Sequence, residues 1–117
     1  MELVAFLGAD KEGWGQVSAL INHGSWDKII LIKNTFATDY PTPEYAEEVI
    51  VDSTLPLFEL RNSMIEKLKG KFSEFEAHLS LASGTGKEHM AVIAALLSIP
   101  MGIRLVAFTK KGVETLN

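Results

Sequence analysis

The sequence predicts an α/β fold, a three-layer sandwich built on a mostly parallel sheet of five to six strands. Two observations carry this. Short, continuous apolar runs such as Leu3-Val4-Ala5-Phe6-Leu7 and Lys28-Ile29-Ile30-Leu31-Ile32 read as strands buried on both faces. They alternate with segments whose apolar residues recur at helical spacing, and that alternation is the pattern of a parallel sheet covered on both sides. At 117 residues the chain has room for one domain, spanning 1–117, with a single core.

Taken in order, the first strand ends at Gly8. Val17, Leu20 and Ile21 then mark a first helix that His23-Gly24 stops. The second strand runs out at Lys33-Asn34-Thr35. Between Phe36 and Glu48, Pro41 and Pro43 predict turns, with one helical turn around Glu44 to Glu47. Val49-Ile50-Val51 reads as a third strand. Ser53 and Thr54 offer N-caps for a helix with Pro56 near its first position, an apolar stripe of Leu60, Met64, Ile65 and Leu68, and Gly70 at its end. A fourth strand covers Phe75 to Leu81, a helix covers His89 to Leu97, and a fifth strand covers Arg104 to Phe108. Lys110-Lys111-Gly112 is a turn signal that folds Val113 to Leu116 back as an antiparallel edge strand.

Composition narrows the function classes. The net charge of −4 argues against wrapping duplex nucleic acid, which needs a clustered basic surface. With no cysteine there are no disulfides or thiolate metal sites, which fits a reducing cytoplasm. The start Met1-Glu2-Leu3-Val4 lacks the basic residues of a secretory signal. The apolar stretch from Ala91 to Phe108 is broken by Pro100-Met101-Gly102 and carries Arg104, so a helix, a turn and a strand explain it better than a membrane span.

The segment Ser83-Gly84-Thr85-Gly86-Lys87, between the fourth strand and its helix, has the composition of a phosphate cradle. Two glycines permit close backbone approach, helix-start N–H groups attract anions, and two hydroxyls and a lysine add donors. In open parallel sheets, ligands bind beyond the carboxyl ends of the strands, where the strand order reverses. Gly8, Asp10, Lys11 and Trp14 after the first strand, and Asn34 after the second, fall on that same edge. Asp10 and Glu12 are read first as caps of the first helix; Trp14 serves either as a base-stacking surface or as a core aromatic. His89 is the histidine near the loop, whereas His23 falls at a helix end and His78 within a strand. The loop is not a P-loop, because Leu81 replaces its first glycine and Glu88 its Ser or Thr. Gly8 and Gly13-Trp14-Gly15 lack the dinucleotide spacing. No pattern of metal ligands and no G-x-S-x-G elbow is present, so neither a metal nor another cofactor is expected.

Three stretches together resemble the CARF family, the CRISPR-associated Rossmann-like sensors of cyclic oligoadenylates. They are Val4-Ala5-Phe6-Leu7-Gly8, Trp26 to Ile32, and above all Ser80 to Ala91. The last is similar to the family's run of Asn or Asp, any residue, Thr or Ser, two glycines, Thr or Arg, then Lys. Leu81 and Thr85-Gly86 depart from it, while Ser83, Gly84 and Lys87 match. The resemblance implies a Rossmann-like fold and a homodimer whose shared pocket binds a cyclic tetra- or hexa-adenylate in antiviral signalling. In some relatives it also implies metal-independent ring cleavage by the ribose 2′-hydroxyl. Lys87 and Ser83 are then the candidates for stabilising developing charge, and Gly8, Asp10, Lys11, Trp14, Asn34, Gly84, Thr85, Gly86 and His89 the candidates for ligand contact. Two other readings stand beside it: the sensor module of a transcription regulator, or a flavodoxin-like protein with another phosphorylated ligand.

Overall fold

The computed structural model describes all 117 residues. Six strands form one sheet: β1 (Glu2–Leu7), β2 (Lys28–Lys33), β3 (Glu47–Ile50), β4 (Glu76–Ser80), β5 (Gly102–Thr109) and β6 (Gly112–Thr115). Their order is β3-β2-β1-β4-β5-β6, with β6 antiparallel to β5 and every other pairing parallel. This is the expected Rossmann-like α/β sandwich. The order reverses between β1 and β4, which pair through Leu3–His78, Val4–Leu79 and Ala5–Ser80.

Both faces of the sheet are covered at its centre, so β1, β2 and β4 are buried at consecutive positions rather than alternate ones. All six residues of β1 are buried. Leu3, Ala5 and Leu7 pack with Val17, Leu20 and Ile21 of α1 (Trp14–His23). Val4 and Phe6 point the other way, onto Leu60, Met64 and Leu68 of α2 (Leu57–Leu68) and onto Ala91, Val92, Ala95 and Leu96 of α3 (Gly86–Ser98). Small residues on α3 let it lie close to the sheet. No helix is long and apolar enough to cross a membrane; the apolar stretch from Ala91 divides into the end of α3 and β5.

Several local expectations are corrected. Residues around Glu44 to Glu47 form a turn and the start of β3, not a helical turn, and β3 begins at Glu47. Lys33 explains that early start. Its side chain is fully buried and its ammonium group is a donor to Tyr40 O (2.6 Å) and to Glu48 (2.7 Å), so burying the charge requires Glu48 alongside. The N-cap position of α2 is Pro56, without a side-chain cap; Asp52, not a helix end, binds the Thr54 N–H and hydroxyl, while Ser53 is drawn elsewhere. Helix α3 begins three residues before His89, so Gly86 and Lys87 are its first turn rather than loop.

Phe6 touches both the α2–α3 core and the glycine loop, so Phe6→Ala should destabilise the chain by about 3–5 kcal/mol. Urea denaturation measures this. A loss under about 1 kcal/mol would contradict the packing described.

Candidate functional site

The loops after β1 and β4 meet at the reversal point and are locked by side chain-to-backbone bonds. Ser83 is fully buried. Its hydroxyl accepts from Gly8 N–H (2.9 Å) and donates to Asp10 Oδ1 (2.8 Å). The same Asp10 oxygen accepts from Gly84 N–H at 2.8 Å. The contact is so close that a Cβ on Gly8 would lie 2.9 Å from the Gly84 Cα. Gly84 itself has φ +108°, a conformation that disfavours side chains, and a Cβ there would sit 2.7 Å from the Phe6 ring.

Asp10 therefore does not cap α1: its carboxylate leaves the N-cap free and reaches across to the β4 loop. Partial burial works against its charge. The Gly84 N–H and the Ser83 hydroxyl outweigh that and, helped by nearby His89, hold the carboxyl below its ordinary range. His89 Nε2 lies 2.7 Å from Ser83 O, which ties the first turn of α3 back to the loop. Trp14 donates its indole N–H to Gly8 O (2.9 Å) and meets Tyr40 edge-on at 5.6 Å, so it braces the β1 loop. Lys11 is exposed over the Trp14 ring, 3.7 Å from Asp39.

A second network lies under α3. Thr85 is the N-cap and, with Glu88, closes a capping box: Thr85 N–H to Glu88 Oε1 at 2.8 Å, and Glu88 N–H to Thr85 Oγ1 at 3.2 Å. Glu88 is buried, and its other carboxyl oxygen accepts from Asn34 Nδ2 (2.9 Å) and from the Ser53 hydroxyl. Asn34 in turn accepts from the Phe36 N–H at 3.0 Å. One carboxyl group thus holds the loops after β2, β3 and β4 together. Lys87 Nζ reaches Ser53 O at 2.9 Å over the top. In the first turn of α3 the N–H groups of Gly86 and Lys87 have no partner within the chain.

These loops enclose a cleft of about 490 Å³ lined by Ala9, Asp10, Asn34, Phe36, Ser53, Thr54, Gly84, Thr85, Lys87 and Glu88. Of the residues singled out from sequence, Asp10, Asn34, Gly84, Thr85 and Lys87 line it. Gly8, Ser83, Trp14 and His89 stand behind the lining, Gly86 lies between Thr85 and Lys87, and Lys11 is outside. Sequence reasoning missed Ser53, Thr54, Phe36 and Glu88. The spacing Thr85-x-x-Glu88 before an apolar run is a capping-box signature and could have identified Glu88; nothing local marks Ser53.

His78 and His23 lie apart from the cleft. His78 is buried beside Trp26 at 5.8 Å, its Nδ1 has no partner, and burial, helped by the chain's N-terminal charge, keeps its pKa low. His23 stacks on Phe108 at 4.9 Å.

No family model matches the chain, and no curated protein matches it. Among solved structures, Enterococcus italicus Csm6 bound to cyclic hexa-2′-fluoro-hexa-dAMP is similar, with a TM-score of 0.62 at 13% identity. The likeness covers 93% of this chain and 34% of that one, so the chain spans about a third of the length of that protein. At this identity the likeness is one of fold.

Two outcomes follow from the geometry. Glu88→Ala leaves the donors of Asn34, Ser53 and Thr85 unpaired and should lower stability by about 3 kcal/mol, whereas Glu88→Gln should lose less. Equal losses in chemical denaturation would argue against the network. Asp10 has a depressed folded pKa, so its contribution to stability is present above its unfolded value of about 3.9 and is lost as pH falls through the folded one. The difference in denaturation midpoint between the wild type and Asp10→Asn should therefore shrink as pH is lowered below about 4; a gap that stays constant with pH would contradict this.

Proposed function

We propose that this chain binds a cyclic oligoadenylate in the cleft at the carboxyl edge of the sheet, as part of type III CRISPR signalling. One observation carries the reading: the Ser83–Lys87 loop, which shares Ser83, Gly84 and Lys87 with the CARF pattern, lies at the β1/β4 reversal where such sheets bind ligands. The fold likeness to a protein bound to a cyclic hexanucleotide analogue supports it.

In this reading the free N–H groups of Gly86 and Lys87 and the Lys87 ammonium group face a ring phosphate, and Asn34, Thr85 and Asp10 orient the nucleotide. Ser83 orders the loop from behind. A ring of four to six nucleotides is larger than the drug-sized ligands that clefts of this volume hold. A second copy completes the pocket, since a two-fold dimer suits a symmetric ring. The two chains meet along the α2–α3 flank beside the cleft, where Phe58 and Met90 are 65% and 58% exposed. Ring cleavage is a further step in this proposal. The ribose 2′-hydroxyl attacks the adjacent phosphorus and gives up its proton to water, the bond to the 5′-oxygen breaks, and that oxygen takes a proton from water, so that a 2′,3′-cyclic phosphate and a 5′-hydroxyl result. Lys87 stabilises the charge that develops on the phosphoryl oxygens.

Thermal shift and calorimetry with cyclic tetra- and hexa-adenylate test binding, and no response to either ring would overturn the reading. Lys87→Ala should remove about 1.5–3 kcal/mol, or roughly ten- to hundred-fold in affinity. It should also slow cleavage of a labelled ring followed by chromatography. Phe58→Glu should yield a monomer by sedimentation.

A further inference from the structure

The glycine loop has the donors of an anion cradle, yet the position against Gly84 is already filled by the protein. A phosphate oxygen placed against Gly84 would take the Gly84 N–H and the Ser83 hydroxyl, and Asp10 Oδ1 accepts both, at 2.8 Å each. The bonds are short and converge on one carboxylate oxygen, which is how a bound anion would be held. Asp10 Oδ2 accepts from no other residue, and Asp10 is exposed and lines the cleft. Around it the charge is not that of a polyphosphate site. Lys87 is the single cation in the lining, set against Asp10 and Glu88, and Asp52 lies close enough to Lys87 to feel its charge.

We infer that Asp10 is a built-in anion that sets the charge class of the ligand. It keeps phosphate away from Gly84 and limits it to the Gly86–Lys87 end of the loop. One cation and two N–H groups there suit a phosphodiester, which carries a single charge spread over two free oxygens. Phosphomonoesters carry between one and two charges at neutral pH and polyphosphates carry more, so both meet the Asp10 carboxylate with more repulsion than the site offsets. The free Oδ2 accepts from a hydroxyl or amino group of the nucleoside instead. This selectivity rests on the proposed ligand reading for its biological ligand, but Asp10's filling of the cradle is tested without it.

The experiment titrates inorganic phosphate, AMP, ATP and cyclic tetra-adenylate into the wild type, Asp10→Asn and Asp10→Ala by calorimetry, after denaturation shows which variants fold. Asn keeps an acceptor for Gly84 and Ser83 while removing the charge; Ala empties the cradle. The wild type should bind phosphate, AMP and ATP at least ten-fold more weakly than either variant does, with the larger gain for Asp10→Ala. Unchanged affinity for phosphate and AMP in a folded variant overturns the inference, and so does a wild type that binds ATP as tightly as the cyclic diester; that comparison needs no variant. If the variants gain phosphate while the wild type ignores the ring, the assignment of Asp10 stands and the cyclic-oligoadenylate reading falls. If the ring binds but removing the charge gains nothing, the reverse holds.

Discussion

A single buried hydroxyl joins the two halves of the sheet at the place where they diverge. Ser83 accepts from the backbone of the β1 loop and donates to Asp10, so the segments after β1 and β4 cannot separate without unpairing buried groups. The Asp10 and Gly84 side of the cleft inherits its position from that join. Gly8 is held to glycine by the backbone of Gly84 against it, and Gly84 by its positive φ and by the Phe6 ring, which packs against the underside of the loop from within the core. The rigidity of the loop is thus continuous with the packing of the sheet.

Glu88 extends the same logic to the other side of the cleft. A carboxyl group buried in the first turn of a helix is costly unless every acceptor position is used. Here its partners come from three loops that are distant in sequence: Asn34, Ser53 and Thr85. The capping box would exist in an isolated helix. The Asn34 and Ser53 bonds exist only when the sheet has assembled, and they convert a local cap into a clamp on the floor of the cleft. Lys33 does the equivalent work at the neighbouring strand, where its buried ammonium group fixes Tyr40 and Glu48 and so shapes the long connection into β3.

Between these two clamps the cleft is walled by loops and sets the one cation Lys87 against the carboxyl groups of Asp10 and Glu88. Gly86 and Lys87 leave their N–H groups unpaired, and Asp10 Oδ2 accepts from no other residue. In the reading proposed above, a ligand that presents one modest negative charge and a nearby hydrogen-bond donor would complement that arrangement. The exposed apolar flank is formed by Phe58 of α2 and Met90 of α3, and Met90 lies on the same helix as Lys87, less than a turn further along.

The sequence by itself determined the elements and their alternation. Runs of apolar residues in β1 and β2 demand burial on both faces, and the spacing in α1 and α2 demands one buried stripe, so the α/β class follows from local chemistry. The junction at Ser83–Lys87 stood out by composition, and its residues turn out to join the β1 loop, hold Asp10 and cap α3. Only the tertiary structure decided what each group does. Asp10 reads as a helix cap because capping is a local option, but the β4 loop offers its carboxylate two better donors. Ser53 reads as a cap for α2, and a buried carboxyl group 35 positions away claims it. Glu88 was visible as a departure from a P-loop and became the clamp of the site. In each case the deciding partner is remote in sequence, and hydrogen-bond satisfaction in a buried place, which only the assembled sheet creates, overrides the local preference.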